Sequence, residues 1–312
     1  MIELQNLTKD YGSLRAVDHI DFSIKEGEIL GFLGPNGAGK STTLKMITCY
    51  LAPTEGNIQI DNLNVHNDSK AIRELIGYLP EHNSLYTEMS VYDYLKFVAE
   101  IRGITGEKFK QVFKNTIKTC GLQGVVTKTI NTLSKGYKQR VGIANAIIHD
   151  PKIIVLDEPT NGLDPNQILE IRQLIKDLGK EKTLIISSHI LQEVQAVCDR
   201  IVIINEGKIV GNGTTEELQA TFKGKSELKL KLKAEPESIF KMVESVEDIS
   251  LKIEPREDFI EVTVEYSKDV EKREEIYSYI KSQDWILLEM VKRDVSLEDV
   301  FRNLTIEGGN ND

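Results

Sequence analysis

Eight consecutive residues, Gly34-Pro35-Asn36-Gly37-Ala38-Gly39-Lys40-Ser41, have the types and spacing of a phosphate-binding loop. Glycines at 34, 37 and 39 let the backbone turn sharply and bring its N–H groups to phosphate oxygens. Lys40 can reach the β- and γ-phosphates of a nucleoside triphosphate, and the Ser41 hydroxyl suits Mg²⁺. A second group of polar residues closes the apolar run Ile153-Ile154-Val155-Leu156, which ends on Asp157-Glu158. Carboxylates at strand ends commonly serve as helix caps. With a phosphate loop upstream, Asp157 is expected to hold Mg²⁺ through its water shell, opposite Ser41. Glu158 is expected to orient or deprotonate a water in line with the γ-phosphate.

The motif means something only between a strand and a helix. Ile29-Leu30-Gly31-Phe32-Leu33 is an apolar run of buried-strand type, and Leu44, Ile47 and Leu51 repeat at helical spacing, predicting a helix over 42–50. Ahead of it, Ile2 to Gln5 and Ile20 to Ile24 alternate as two antiparallel strands around the turn signal Tyr11-Gly12. After it come a strand at 57–60, a short helix at 71–76 and a strand at 76–81 ending on Glu81. Residues 84–131 read as a compact helical insertion, opened by Ser90 and Asp93 in a capping pattern. Helices are expected at 135–148, 168–178 and 190–198, and strands at 153–157, 183–188, 200–205 and 208–211. The fully apolar strands belong in a parallel sheet covered on both faces. A first domain therefore covers 1–220.

From Lys225 the pattern changes. Leu228-Lys229-Leu230-Lys231-Leu232 alternates strictly, which leaves one face wet. The order strand, helix (238–245), strand (249–253), strand (259–265), helix (270–281), strand (285–291) is that of a ferredoxin-like α+β unit, closed by a helix at 297–304. This accessory domain spans 225–306, and from residue 225 to the end of the sequence there are 22 acids against 14 Lys or Arg, most of the chain's net charge of −10. Residues 307–312 are expected to be a disordered tail.

No run of about 18 apolar residues occurs, and the start lacks the features of a signal peptide or a myristoylation site. Three distant cysteines, Cys49, Cys120 and Cys198, argue against a disulfide framework or a zinc site. The acidic balance argues against bulk nucleic-acid binding. A cytoplasmic protein is expected.

Taken in order, Gly34 to Ser41, Leu133-Ser134-Lys135-Gly136-Tyr137, Asp157-Glu158, Asn161-Gly162-Leu163-Asp164 and His189 resemble the motif set of ABC-type ATPases over residues 1–220. The resemblance implies ATP and Mg²⁺ as cofactors. It implies a nucleotide-binding set of Tyr11 (stacked on adenine), Gly34, Pro35, Asn36, Gly37, Ala38, Gly39, Lys40, Ser41, Thr42, Ser134 and Gly136. Ser134 and Gly136 would touch the γ-phosphate held by the opposite subunit of a head-to-tail homodimer. The implied metal set is Ser41, Glu81 and Asp157, and the implied catalytic pair is Glu158 and His189. Asp164 would couple the two sites. Tyr11 alone would be an ordinary surface aromatic, and a lone strand-end histidine an ordinary structural one.

Three departures from the family pattern stand out. Glu81 replaces a glutamine, Lys135 a glycine and Tyr137 a glutamine. The Lys135 charge either attracts phosphate or is solvated. A single ATPase unit with this accessory domain resembles the cytosolic subunit of ABC-2-type exporters, and Tyr78 to His82 with Tyr86 looks closest to the gliding-motility group. Integral membrane permease subunits are the implied partners, which would hold the protein peripherally on the inner face of the membrane. Some of Tyr92, Tyr94 and Phe97 in the insertion are expected to line a groove for a short coupling helix of the membrane subunit, the alternative being that all three pack inside the insertion. The competing class is an ABC ATPase acting on ribosomes or chromosomes. It would need two ATPase units, or long heptads between the phosphate loop and Ser134, and neither is present.

Overall fold

The computed structural model describes residues 1–221, 225–267, 270–293 and 296–306. These form two compact units. One holds Met1–Thr215 with the described residues from Leu304 onward, and the other holds Glu216–Asn303. The junction is thus at 215–216, and the first unit regains residues that the sequence pattern assigns to the accessory domain. The expected tail at 307–312 lies outside the described residues.

The first unit opens with the hairpin β1 (Ile2–Tyr11) and β2 (Leu14–Ile24), turned at Gly12 with φ +61° and paired Tyr11 to Leu14. Strand β3 (Ile29–Leu33) leads into α1 (Lys40–Ile47). Then come β4 (Glu55–Ile60), β5 (Leu63–Asn64), α2 (Ser69–Leu75) and β6 (Ile76–Leu79). Strands β2-β1-β4-β5 make a four-stranded antiparallel sheet. The insertion contains α3 (Val91–Ile101) and α4 (Gly106–Thr119). Ser90 caps α3 by accepting the Asp93 N–H at 3.1 Å while its hydroxyl donates to the Asp93 carboxylate.

The first unit is completed by α5 (Lys135–Ile147), β7 (Ile153–Asp157), α6 (Pro165–Gly179), β8 (Thr183–Ser188), α7 (Leu191–Gln195), β9 (Arg200–Asn205) and β10 (Lys208–Gly213), and all but the first residue of α8 (Thr215–Thr221) belongs to the second unit. The six strands of the central sheet run β10-β9-β3-β8-β7-β6, parallel except for β10. Successive residues of β7 enter opposite cores. Ile154 and Leu156 pack with the helices of the insertion, whereas Ile153 and Val155 pack with α1 and the antiparallel sheet. Both faces are covered, so the strand must be apolar throughout.

Beyond α8, the second unit consists of β11 (Lys225–Lys233), α9 (Pro236–Phe240), α10 (Met242–Ser245), β12 (Ile249–Pro255), β13 (Ile260–Ser267), α11 (Arg273–Ser282), β14 (Ile286–Arg293) and the start of α12 (Leu297–Ile306). The order β12-β13-β11-β14, all neighbours antiparallel, is the ferredoxin-like arrangement. Leu228, Leu230 and Leu232 are buried, while Lys229 and Lys231 face outward to pair with Glu261 and Glu289.

Several elements differ in extent from the sequence reading, and four of the differences have a local reason. Helix α1 starts at Lys40 because Gly39, at φ +106°, already accepts the Thr43 N–H at 2.9 Å. Helix α7 is short because the Asp199 N–H bonds Ile29 O at 2.9 Å and draws the chain back to the sheet. The helix expected over 238–245 is two pieces, with a tight Lys241-to-Ser238 bond of 3.3 Å at the break. Helix α11 begins at Arg273, whose N–H is held by Glu271 at 3.1 Å.

His149, just past α5, places Nε2 3.2 Å from Ile76 O, and its Nδ1 is buried without a partner. Burial, with the nearby Arg102 charge, pushes its pKa down to about 4 from the usual 6.5. Between those values the unfolded chain takes up a proton that the native state refuses. Stability should therefore fall as pH drops from 6.5 to 4. We expect the thermal midpoint of His149→Gln to fall less across that window than that of the parent chain, measured by circular dichroism.

Candidate functional site

Parallel strands put their carboxyl ends on one edge of a sheet, which is where ligand sites of such sheets form. Here β3 ends at Leu33 beside Ser188 of β8, and Asp157 of β7 pairs with Ser187 of β8. The phosphate loop, Asp157-Glu158 and His189 thereby meet at one edge, although over 150 residues separate the first from the last.

Within the loop, Gly37 and Gly39 have φ of +83° and +106°, and a Cβ on Gly39 would stand 2.5 Å from Ala16 O of β2. A Cβ on Gly34 would come 2.3 Å from Ile204 O. The Gly34 N–H bonds Ser188 O at 3.3 Å and the Ala38 N–H bonds Pro35 O at 3.2 Å. Asn36 is exposed, while Ser41 and Thr42 are half-buried in the first turn of α1, whose N-cap makes no side-chain bond. That turn offers backbone donors and the positive end of the helix dipole to an anion.

Lys40 is turned into the loop. Its ammonium donates to Gly34 O at 2.8 Å and Pro35 O at 3.2 Å and lies 3.5 Å from Glu158 Oε1, both side chains being 6% exposed. Glu158 Oε2 in turn lies 3.0 Å from His189 Nδ1. Glu158 adopts φ +49°, a left-handed conformation rare for this residue type. The Ser187 hydroxyl accepts the Glu158 N–H at 2.9 Å and donates to Asp157 Oδ1, fixing both acids at once. Ser187 was missed by sequence reasoning. The only signal was two polar residues closing a buried strand.

Glu81 lies two residues beyond β6 and is exposed. The Tyr78 hydroxyl, on β6, is buried without a hydrogen-bond partner. Burial first, then the negative fields of Asp157, Tyr50 and Glu81, push its pKa up. The Ser41 hydroxyl in the first turn of α1 and the Asp157 carboxylate at the end of β7 are hard oxygen donors, the kind that suits Mg²⁺, an ion held by one or two carboxylates with phosphates. Among the described residues no cluster of three or more His, Cys, Asp or Glu suits a metal held by protein alone.

Other expected members lie elsewhere. Tyr11 is 48% exposed on the hairpin, with the Lys9 ammonium 5.6 Å from its ring centre. Ser134 caps α5, accepting the Tyr137 N–H at 3.4 Å. Asp164 caps α6, accepting the Gln167 N–H at 2.9 Å, with Pro165 in the first turn. Ser134, Gly136, Tyr137, Asp164 and Gln167 line one open groove of about 320 Å³ that includes no residue of the phosphate loop. Lys135 reaches the neighbouring loop, so that a Cβ on Gly162 would fall 2.0 Å from its nitrogen.

A phosphate loop opening a helix, two acids at the end of a strand one removed in the same sheet and a capped second loop define a P-loop nucleotide-hydrolysing fold. Residues 17–161 match the ABC transporter family model. The chain is 42% identical over 212 residues to the bacitracin transport ATP-binding protein BcrA of Bacillus licheniformis, covering 67% of this chain and 68% of that one. It is 30% identical over 307 residues to the linearmycin resistance ATP-binding protein LnrL of Bacillus subtilis (strain 168), covering 98% of each. Among solved structures, the ATP-binding cassette MJ0796, a dimer in a post-hydrolysis state bound to ADP and Pi, superposes with a TM-score of 0.63 at 29% identity over 69% of this chain and 98% of that one. The cbiO1 subunit of Clostridium perfringens, part of the cbiONQ transporter complex, gives 0.65 at 32% identity over 70% of this chain and 90% of that one. The chain belongs to the ABC transporter ATP-binding family. Its activity is ATP hydrolysis in the service of transport, and its cassette is of the kind that dimerises and pairs with membrane subunits. Among the described residues no helix is long and apolar enough to cross a membrane.

The glycines make a graded prediction. Gly37→Ala meets no atom within 4 Å and adds only backbone strain, whereas Gly39→Ala adds a backbone clash as well. Strain of this kind costs about 1–3 kcal/mol. Gly39→Ala should lower the thermal midpoint more than Gly37→Ala, and equal midpoints would refute the clash.

Proposed function

We propose that the protein is the ATP-hydrolysing subunit of an ABC exporter, working as a head-to-tail homodimer on separate permease subunits and lying on the cytoplasmic face of their membrane. The observation that carries the catalytic part is the line Lys40–Glu158–His189, with contacts of 3.5 and 3.0 Å across three strand ends. In this reading the N–H groups of the loop from Gly34 to Thr42 cradle the phosphates, and Lys40 leaves its carbonyl partners for the β- and γ-oxygens. Ser41, Asp157 and Glu81 hold Mg²⁺, which when bound offsets the phosphate charge. Glu158, released from Lys40, takes the proton of a water aligned with the γ-phosphate. With His189 Nδ1 occupied by Glu158, Nε2 is left for the γ-phosphate, and Tyr11 stacks on adenine.

Support for the homodimer comes from the groove holding Ser134 and Gly136, which is separate from the phosphate loop of the same chain. A second copy can bring that groove to the phosphates, and symmetry makes two such sites. ATP then favours closure because only the closed pair makes both sets of contacts. We expect Glu158→Gln to retain ATP and lose turnover by about 10²–10⁴, and Lys40→Ala to lose ATP affinity. With Mg-ATP, Glu158→Gln should elute as a dimer by light scattering and as a monomer without nucleotide. Normal turnover in Glu158→Gln, or a monomer in both conditions, overturns the corresponding assignment.

Support for export comes from the match to LnrL, a resistance protein, which runs through both units of the chain. Antibiotic transport and resistance proteins are among the relatives that the proposal follows. Of the three aromatics expected at the docking surface, Tyr92 and Phe97 are exposed and Tyr94 is not. Tyr94 is buried with its hydroxyl 2.9 Å from Asn145, and Tyr92 packs edge-on against Phe113 of α4. Tyr86, Tyr92, Phe97 and Ile101 are all exposed on the insertion, Tyr86 stacking edge-on against Phe97. Phe97→Glu with Ile101→Glu should leave ATPase activity of the isolated subunit unchanged and abolish copurification with the permease. An extracellular substrate-binding protein in the purified complex, identified by mass spectrometry, would make the system an importer instead.

A further inference from the structure

Glu193 of α7 is a carboxylate 9% exposed, beside a cavity of about 10 Å³. A buried carboxylate is costly unless hydrogen-bonded, and apolar residues of like size usually serve stability better. Its partners are specific. One oxygen, Oε2, accepts from the hydroxyls of both Thr160 and Ser188, the latter at 3.1 Å. The Ser188 oxygen is itself the acceptor for the Ile190 N–H at 3.0 Å. A hydroxyl has one proton, so that proton must point to Glu193. The chain of bonds therefore has one direction, from the Ile190 N–H through Ser188 to Glu193, with Thr160 donating to the same oxygen.

The sequence positions of these partners matter. Thr160 lies two residues after Glu158, and Ser188 immediately precedes His189. The Ser188 carbonyl also accepts the Gly34 N–H at 3.3 Å. A single carboxylate oxygen thus joins the segment carrying Glu158 to the segment carrying His189, and through Ser188 to the first residue of the phosphate loop. Arg172 Nε, buried without a partner, lines the same cavity, which has room for about one water.

We infer that Glu193 is a positioning residue of the ATPase site, holding the His189–Glu158 contact through Ser188 and Thr160. The inference rests on the site reading proposed above. Displacements near 1 Å can cost about 10²-fold in rate, and nothing else among the described side-chain contacts bridges Thr160 to Ser188.

The test uses the full chain, with turnover measured in single-turnover format so that slow variants remain readable. Thr160→Val removes the donor at nearly constant shape and should lower the hydrolysis rate roughly 10–100-fold, with ATP affinity within about twofold of the parent. Glu193→Ala should do the same, and Thr160→Ser, which keeps the hydroxyl, should restore the rate. If the effect runs through His189, Thr160→Val in a His189→Ala background should cost no more than about twofold further. An equal loss in both backgrounds, an unchanged rate in Thr160→Val, or a loss confined to ATP affinity overturns the inference alone. Parent-like turnover in His189→Ala removes the site reading, and this inference with it. Should Glu193→Ala fail to fold, the Thr160 pair gives the answer.

Discussion

Two opposite charges, Lys40 and Glu158, are held out of water 3.5 Å apart. Burying such a pair is expensive, and attraction offsets the cost only where the remaining protons and lone pairs are also satisfied. The surrounding structure meets that condition. Loop carbonyls take two lysine protons, and His189 takes the second glutamate oxygen. Much of the first unit can be understood as what is needed to hold this pair in place. The glycines bring loop carbonyls to Lys40, Glu158 accepts a left-handed backbone, and Ser187 locks the strand end behind it. The pair is poised to be broken by an incoming anion, since phosphate oxygens compete for the same ammonium protons.

The central sheet makes this geometry possible by its topology. Strand β3 lies between β8 and β9, and β7 lies on the far side of β8. Because these strands are parallel, loops from distant parts of the chain leave from the same edge. The inner strands β3, β7 and β8 are buried along their length, and β7 and β8 turn polar where they reach the site, at Asp157, Ser187 and Ser188. Those ends are where the chemistry sits.

The second unit follows other rules. Its sheet buries one face and charges the other, as the Leu228, Leu230 and Leu232 alternation with Lys229 and Lys231 shows. It contributes none of the residues in the site described above. Its relevance to function lies in the relative that matches both units.

The sequence by itself determined the class of chemistry. Eight consecutive residues name a phosphate loop, and an apolar run ending on two acids names a second strand of the site, because those signals are local and need no neighbours. Alternation in residues 228–232 likewise sufficed for the second unit's sheet, since period-two burial is a property of one strand. Contacts between distant segments were decided only by the tertiary structure. Nothing in the spacing of Lys40, Glu158 and His189 reveals that they touch, nor that Ser187 bridges the two acids or that Glu193 gathers Thr160 and Ser188. Tyr92, Tyr94 and Phe97 looked alike in the sequence, yet Tyr94 is buried and Phe97 stands beside Tyr86 at the surface. Helix spacing gives the direction of each ring from its own axis, but which direction is interior depends on the helices packed around it.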